Sequence, residues 1–260
     1  MKPGLRRSVT TGMEALWLLA GAKDLLFPRE CFLCGNLPIG GTIFPAPFLC
    51  APCASTVRYA GRESCPRCGD FPSARGDRPL IPSPSCSRCR GRDLAFDRCA
   101  SGAAYTGAVR SLVKLLKFSN ARRAAVPLGT LVVAGALRAL RGERPGIITA
   151  VPLHPLKRLK RGYNQADLLA GIVARRMKIP FRSDLVRRVR YTPSQGASRG
   201  RDRRANLRGA FRPRTALRRK EELHVLLVDD VISTATTIDE CARALKEGGA
   251  SRVTAASAAT

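Results

Sequence analysis

The chain has 260 residues, 45% of them hydrophobic, which is enough for one α/β core plus a small accessory module and excludes global disorder. Its 46 basic residues against 19 acidic ones leave a formal charge of +27, a field that attracts phosphates. The partner is expected to be anionic, either a polymer or a small phosphate ester, although part of the excess is arginine on ordinary solvated faces.

Residues 1–28 read as a basic start and one helix. Lys2, Arg6 and Arg7 precede the apolar stretch 15–22, an order that superficially resembles a secretory signal. Glu14 sits directly before the run, however, and Lys23 and Asp24 interrupt it. Leu16, Leu19, Ala20 and Leu26 roughly follow a helix stripe, and the run is too short to span a bilayer. A packed N-terminal helix, no membrane span and a cytoplasmic protein are therefore expected.

Residues 29–95 are rich in Cys, Pro and Gly, without apolar periodicity, so hydrophobic collapse alone cannot hold them. Eight of the ten cysteines fall there in four Cys-x-x-Cys pairs: Cys31/Cys34, Cys50/Cys53, Cys65/Cys68 and Cys86/Cys89. Each such turn aims two thiolates at one point, and two turns complete a tetrahedral four-sulfur site. Zn²⁺ suits this donor set, and ligation supplies the folding free energy that the segment lacks. Two structural sites are expected, pairing 31/34 with 50/53 and 65/68 with 86/89; a cross-braced arrangement would use the same residues. A redox or disulfide role is the competing reading. Cys99 and Cys241 read as buried small hydrophobes.

From residue 96 the character changes. A strand is expected over 101–105, an amphipathic helix over 108–118, a second helix over 124–140 and a buried strand over 147–151. The turn-rich stretch 152–165 (PLHPLKRLKRGYNQ) follows, then a helix over 165–177. The strand 225–229 (VLLVD) is the clearest in the chain; a helix over 236–247 and a strand over 252–257 complete the pattern. Apolar strands alternating with helices imply an α/β fold with a parallel sheet and right-handed crossovers. The basic stretch 192–220 reads as a mobile loop or hairpin rather than a core element.

The sharpest chemical signal is the run Asp229, Asp230, Val231, Ile232, Ser233, Thr234, Ala235, Thr236, Thr237 between an apolar strand and a helix. Backbone N–H groups at a helix N-terminus favour an anion, and the hydroxyls of Ser233, Thr234, Thr236 and Thr237 add donors. Two adjacent carboxylates at a strand end need solvent, a metal or sugar hydroxyls. A phosphate cradle beside an acidic pair matches a 5-phosphoribose. The plainer reading is a solvated turn whose Ser/Thr cluster only caps the helix.

These residues carry a family resemblance. The VDDVxxTxxT arrangement resembles the phosphoribosyl diphosphate (PRPP) motif of type I phosphoribosyltransferases. PLHPLKRLKRGYNQ and TPSQ…RRANLRGAF resemble the diphosphate-side loop and the basic loop of ComF proteins, and the resemblance covers residues 29–260. It implies a type I phosphoribosyltransferase-like parallel sheet flanked by helices (96–260), preceded by a small double zinc-ribbon module (29–95). It also implies that Asp229 and Asp230 hold the ribose hydroxyls, directly or through Mg²⁺, and that residues 233–237 bind the 5′-phosphate. Leu153, His154, Lys157, Arg158, Lys160 and Arg161 would then lie near the diphosphate. The implied reaction is transfer of phosphoribose from PRPP to a nitrogenous acceptor. The family's implied setting is natural competence, DNA uptake and single-stranded DNA. The alternative is a non-catalytic protein that senses PRPP or grips single-stranded DNA, with Tyr163, Tyr191 or Phe211 as stacking faces. One departure stands out: the family usually has Gly where this chain has Ala235. Gly there permits a positive φ and close approach to phosphate.

Overall fold

A computed structural model describes residues 30–36, 48–61, 64–65, 67–70, 86, 89–191, 207–214 and 223–260. The expected N-terminal helix and most of the basic loop lie outside the described residues.

The described chain begins with the short helix α1 (Ala51–Ser55). It continues through β1 (Arg98–Ala103), α2 (Gly107–Phe118), α3 (Ala125–Leu140), β2 (Ile147–Ala150), α4 (Pro155–Arg161) and α5 (Gln165–Met177). The hairpin strands β3 (Val186–Arg188) and β4 (Phe211–Pro213) come next, then β5 (His224–Val231), α6 (Thr236–Glu247) and β6 (Arg252–Ala259). The main sheet has the order β1-β6-β5-β2 with every pair parallel, as the strand–helix alternation implies. Asp229 pairs with Ser257 and Val228 with Ala256, so the acidic pair sits where β5 leaves the sheet.

β5 is buried on both faces because its side chains alternate between two cores. Leu226 and Val228 face a core shared with Leu112 of α2, Leu128 of α3 and Leu169 of α5. Val225 and Leu227 face a second core with Ile238 and Cys241 of α6. β1 and β6 are rich in Ala, Ser and Gly, and that lets α3 come close. A Cβ on Gly102 would lie 2.3 Å from the Leu131 carbonyl oxygen. The segment Arg122–Leu140 is long and apolar enough to cross a membrane, yet 67% of it is buried inside this protein as the central core helix.

The ribbons are extensions of the two cores. Cys31, Cys50 and Val57 belong to the α2–α3–α5 core, whereas Cys65, Cys68, Cys86 and Cys89 join the α6 core. Two expectations need correcting. The stretch 152–165 contains a helix, α4, which Pro155 starts at its first position and Gly162 ends at φ 77°. The basic stretch is a hairpin partner for β3, but Leu207, Ala210 and Phe211 are core residues. Isolated apolar residues among arginines show no periodicity, so their burial is decided by the α6 surface they cover.

Candidate functional site

Two sulfur tetrads form. The Sγ atoms of Cys31, Cys34, Cys50 and Cys53, and those of Cys65, Cys68, Cys86 and Cys89, each lie within 4.8 Å of one another. The direct pairing is thus observed and cross-bracing is not. A tetrahedron with Zn–S bonds of about 2.3 Å has edges of about 3.8 Å. The Sγ separations bracket that edge: 3.5 Å for Cys34–Cys50, 3.5 Å for Cys68–Cys86, 3.7 Å for Cys65–Cys89 and 3.9 Å for Cys86–Cys89. The Cys65 thiol is drawn down to about 4, chiefly by its hydrogen bond with Cys68, whose own value is pushed up by the same contact and by burial. The tetrads fit structural Zn²⁺ by donor set and size. None of the ten cysteines forms a disulfide, and Cys99 and Cys241 are buried at 2% and 0% exposure.

The acidic pair divides its work. Asp230 is 3% exposed and ion-paired with Lys117 at the end of α2, Nζ to Oδ2 being 2.9 Å. Burial alone would lower the Lys117 pKa, but the Asp230 charge outweighs it and holds the ammonium above its ordinary value. Asp229 is half-buried, and one of its oxygens accepts from the Asp230 N–H at 2.8 Å. Burial and then the Asp230 charge push the Asp229 carboxyl up to about 7, against the pull of Lys117 and Arg188. Asp230 is thus the buried member of the pair, held by Lys117, and Asp229 is the half-buried one.

Beyond β5 the chain turns through Ile232, anchored by its N–H to the Ala259 carbonyl at 2.9 Å, into the loop 233–235. Ser233, Thr234 and Thr237 are half-buried; Thr236 is buried, its hydroxyl 3.1 Å from that of Thr234. Among the described residues, the N–H groups of Ser233, Thr234 and Ala235 make no backbone hydrogen bond, as a phosphate cradle requires. Ala235 caps α6 at φ 58°, ψ 0°, the left-handed conformation in which glycine is expected. An alanine there costs roughly 1–2 kcal/mol. Ala235 is buried in the α6 core, so its methyl does not occupy the cradle.

A cationic wall faces the acidic pair. Lys157 on α4 is held below its ordinary pKa, first by burial and then by the charges of Arg188 and Arg161. Arg188, from β3, lies close enough to Asp229 to lower its pKa. Of the other diphosphate-side residues, Arg158 is exposed and 3.9 Å from Asp167, Lys160 is exposed and Leu153 is half-buried. His154 caps α4, its Nδ1 accepting from the Leu156 N–H at 3.3 Å, and packs edge-on against Tyr191 at 5.1 Å. Lys117 was not legible as a site residue, because an amphipathic helix with a basic face reveals nothing about which lysine turns inward.

Residues 22–90 match a double zinc ribbon domain family, and residues 164–260 match a phosphoribosyl transferase domain family. DNA utilization protein YhgH of Salmonella typhimurium is 34% identical over 233 residues, 88% of this chain and 96% of the relative. The protein of the same name in Escherichia coli K12 is 31% identical over 232 residues, with the same coverages. Competence protein F of Haemophilus influenzae is 30% identical over 231 residues, 87% of this chain and 95% of the relative. The chain belongs to the ComF family. Its two tetrads are then the zinc ribbons of a ComF protein, and the β5–α6 junction lies in its transferase domain.

Proposed function

We propose that this ComF-family protein binds PRPP with Mg²⁺ and transfers phosphoribose to a nitrogenous acceptor in the handling of DNA. The observation that carries this reading is the meeting of three unlike features around the C-terminal end of β5. They are the half-buried Asp229, the loop 233–237 with free N–H groups, and the cations Lys157, Arg161 and Arg188. The 5′-phosphate takes the loop, a ribose hydroxyl takes Asp229, and the diphosphate takes the cations. Mg²⁺, when bound with PRPP, supplies charge neutralisation on the diphosphate and is held on the protein side by Asp229. An acceptor nitrogen attacks the anomeric carbon as the bond to the diphosphate oxygen breaks, and the diphosphate leaves with the bonding pair. The acceptor's proton passes to solvent. The cationic wall stabilises the negative charge that develops on the leaving group. The relatives' printed names, DNA utilization and competence, support DNA uptake as the setting.

Calorimetric titration of Mg²⁺ and PRPP into the zinc-loaded protein tests this. Because Asp229 is pushed up to about 7, its carboxylate is mostly protonated at pH 6 and mostly ionised at pH 8. The ionised fraction rises about tenfold over that range, and affinity is expected to rise with it. Asp229→Asn is expected to bind weakly at both pH values, keeping only the smaller pH dependence of the ligand's own phosphates. Absence of binding by the wild type would defeat the proposal.

A second reading, a single-strand grip beside the same site, is favoured by one surface. Phe118 and Tyr191 are 78% and 51% exposed, and Arg161 and Lys157 of α4 lie over their rings at 5.9 and 5.4 Å. Of the stacking faces expected from the sequence, Tyr163 and Phe211 are buried, which leaves Tyr191. On this reading, affinity for an oligothymidine falls steeply with salt, and Phe118→Ala with Tyr191→Ala costs about 1–3 kcal/mol per lost ring. Salt-independent binding would remove it.

A further inference from the structure

We propose that Arg92, contributed by the second ribbon, is a positioning residue that latches the Thr234–Ala235 peptide in its phosphate-binding orientation. The proposal rests on the ribose-phosphate reading above. Arg92 Nη1 donates to the Thr234 carbonyl oxygen at 3.1 Å, reaching from the zinc module to the loop. Its backbone is fixed by the metal tetrad. The Arg92 N–H donates to the carbonyl of Cys89, a ligand at 0% exposure, at 3.2 Å. The Arg92 carbonyl in turn accepts from Arg67 Nη2, between Cys65 and Cys68, at 2.9 Å. A second tie runs nearby, where the Ala95 N–H donates to Asp239 Oδ1 of α6 at 2.7 Å.

A trans peptide is planar, with its C=O and N–H pointing in opposite directions. Holding the Thr234 carbonyl toward Arg92 therefore aims the Ala235 N–H away from the ribbon. That N–H is one of the loop donors without a backbone acceptor. Rotation of this peptide would replace the N–H with a carbonyl oxygen, which repels phosphate. It would also take Ala235 from φ 58° to a negative φ, which L-residues prefer. With glycine at 235 the two orientations would be nearly balanced. With alanine the loop is biased toward the non-binding orientation, and the Arg92 hydrogen bond opposes that bias. Arg92 also borders a cavity of about 360 Å³ between the ribbon and α6, so truncating its side chain does not empty a packed core.

The test uses the full zinc-loaded chain and four variants: Arg92→Ala, Arg92→Lys, Ala235→Gly, and Arg92→Ala combined with Ala235→Gly. The probes are ribose 5-phosphate, and PRPP with Mg²⁺, by calorimetry. Arg92→Ala is expected to weaken ribose 5-phosphate binding about tenfold, equal to 1.4 kcal/mol, with zinc content unchanged. Arg92→Lys, which keeps one donor, is expected to recover part of the loss. In the Ala235→Gly background the same truncation is expected to cost no more than about threefold, or roughly 0.65 kcal/mol. Wild-type affinity in Arg92→Ala, alongside lost affinity in Asp229→Asn, overturns the latch and leaves the site intact. Equal losses in both backgrounds also overturn it. Amide exchange at 233–237 in the ligand-free protein reads the latch without any ligand. Faster exchange in Arg92→Ala is expected, and unchanged exchange rejects the latch even if no ribose phosphate binds.

Discussion

Lys117→Met is expected to destabilise the protein by about 3–5 kcal/mol near neutral pH, because it leaves a buried carboxylate without its counter-ion. The partner is Asp230, 3% exposed, with the ammonium 2.9 Å away. For a chain of this size the loss corresponds to a fall of roughly 10 °C in Tm. The sign with pH is determined by the pair. In the wild type the Asp230 charge raises the Lys117 pKa despite burial, so the contribution of the ammonium is lost as pH rises through that raised value. Thermal melts at pH 8 check the destabilisation, and a second substitution, Asp230→Asn, is expected to restore most of the loss. A single variant as stable as wild type at pH 8 would show that Lys117 is not the counter-ion.

Cys89→Ser is expected to lower bound zinc from two ions to one per chain and to abolish ribose 5-phosphate binding, with Kd rising by about a hundredfold or more (about 2.7 kcal/mol). A structural zinc contributes about 10–16 kcal/mol to the folding of small modules, more than such a ribbon can recover from packing. The second tetrad shares its core with Ile232, Ala235 and Ile238, so losing it removes the back wall of the phosphate loop and the anchor of Arg92. Cys34→Ser is the control. It also removes one zinc, but the first tetrad packs toward the start of α2, where the Thr56 hydroxyl accepts from the Ala108 N–H at 3.0 Å. Lys117 lies at the opposite end of α2, and affinity is expected to stay within about threefold of wild type (roughly 0.65 kcal/mol). Zinc analysis with calorimetry on both variants checks the difference. Equal losses would mean that the ribbons act on the site together rather than through the second one.

The residues that could be found from sequence alone carry their chemistry in local spacing. The helix 165–177 was legible to both ends, because Asn164 caps its start through the Ala166 N–H and periodic apolar residues fill its inner face. The cysteine tetrads were legible because a Cys-x-x-Cys turn specifies two ligands by itself, and their pairing followed sequence order. The start of β1 was placed three residues late. Arg98–Ala100 become strand by pairing with Thr254–Ala256, and no local pattern announces that pairing. The phosphate loop was legible as a strand-to-helix junction with an acidic pair. The unequal exposure of Asp229 and Asp230 was not, since neighbouring residues on one strand read alike until the packed helices differ.

The sequence by itself determined the composition of the site: two four-cysteine sets, an acidic pair, a hydroxyl-rich loop, and an alanine where a positive φ was expected. Only the tertiary structure decided the division of labour among them. It turned Lys117 inward onto Asp230, brought Arg188 from the hairpin to Asp229, buried Tyr163 and Phe211, and set Arg92 of a zinc ribbon against a loop 142 residues further along the chain. The physical reason is range. Ligand spacing, capping and strand alternation act over a few neighbouring residues, whereas desolvation and ion pairing depend on which distant segments share the same buried space.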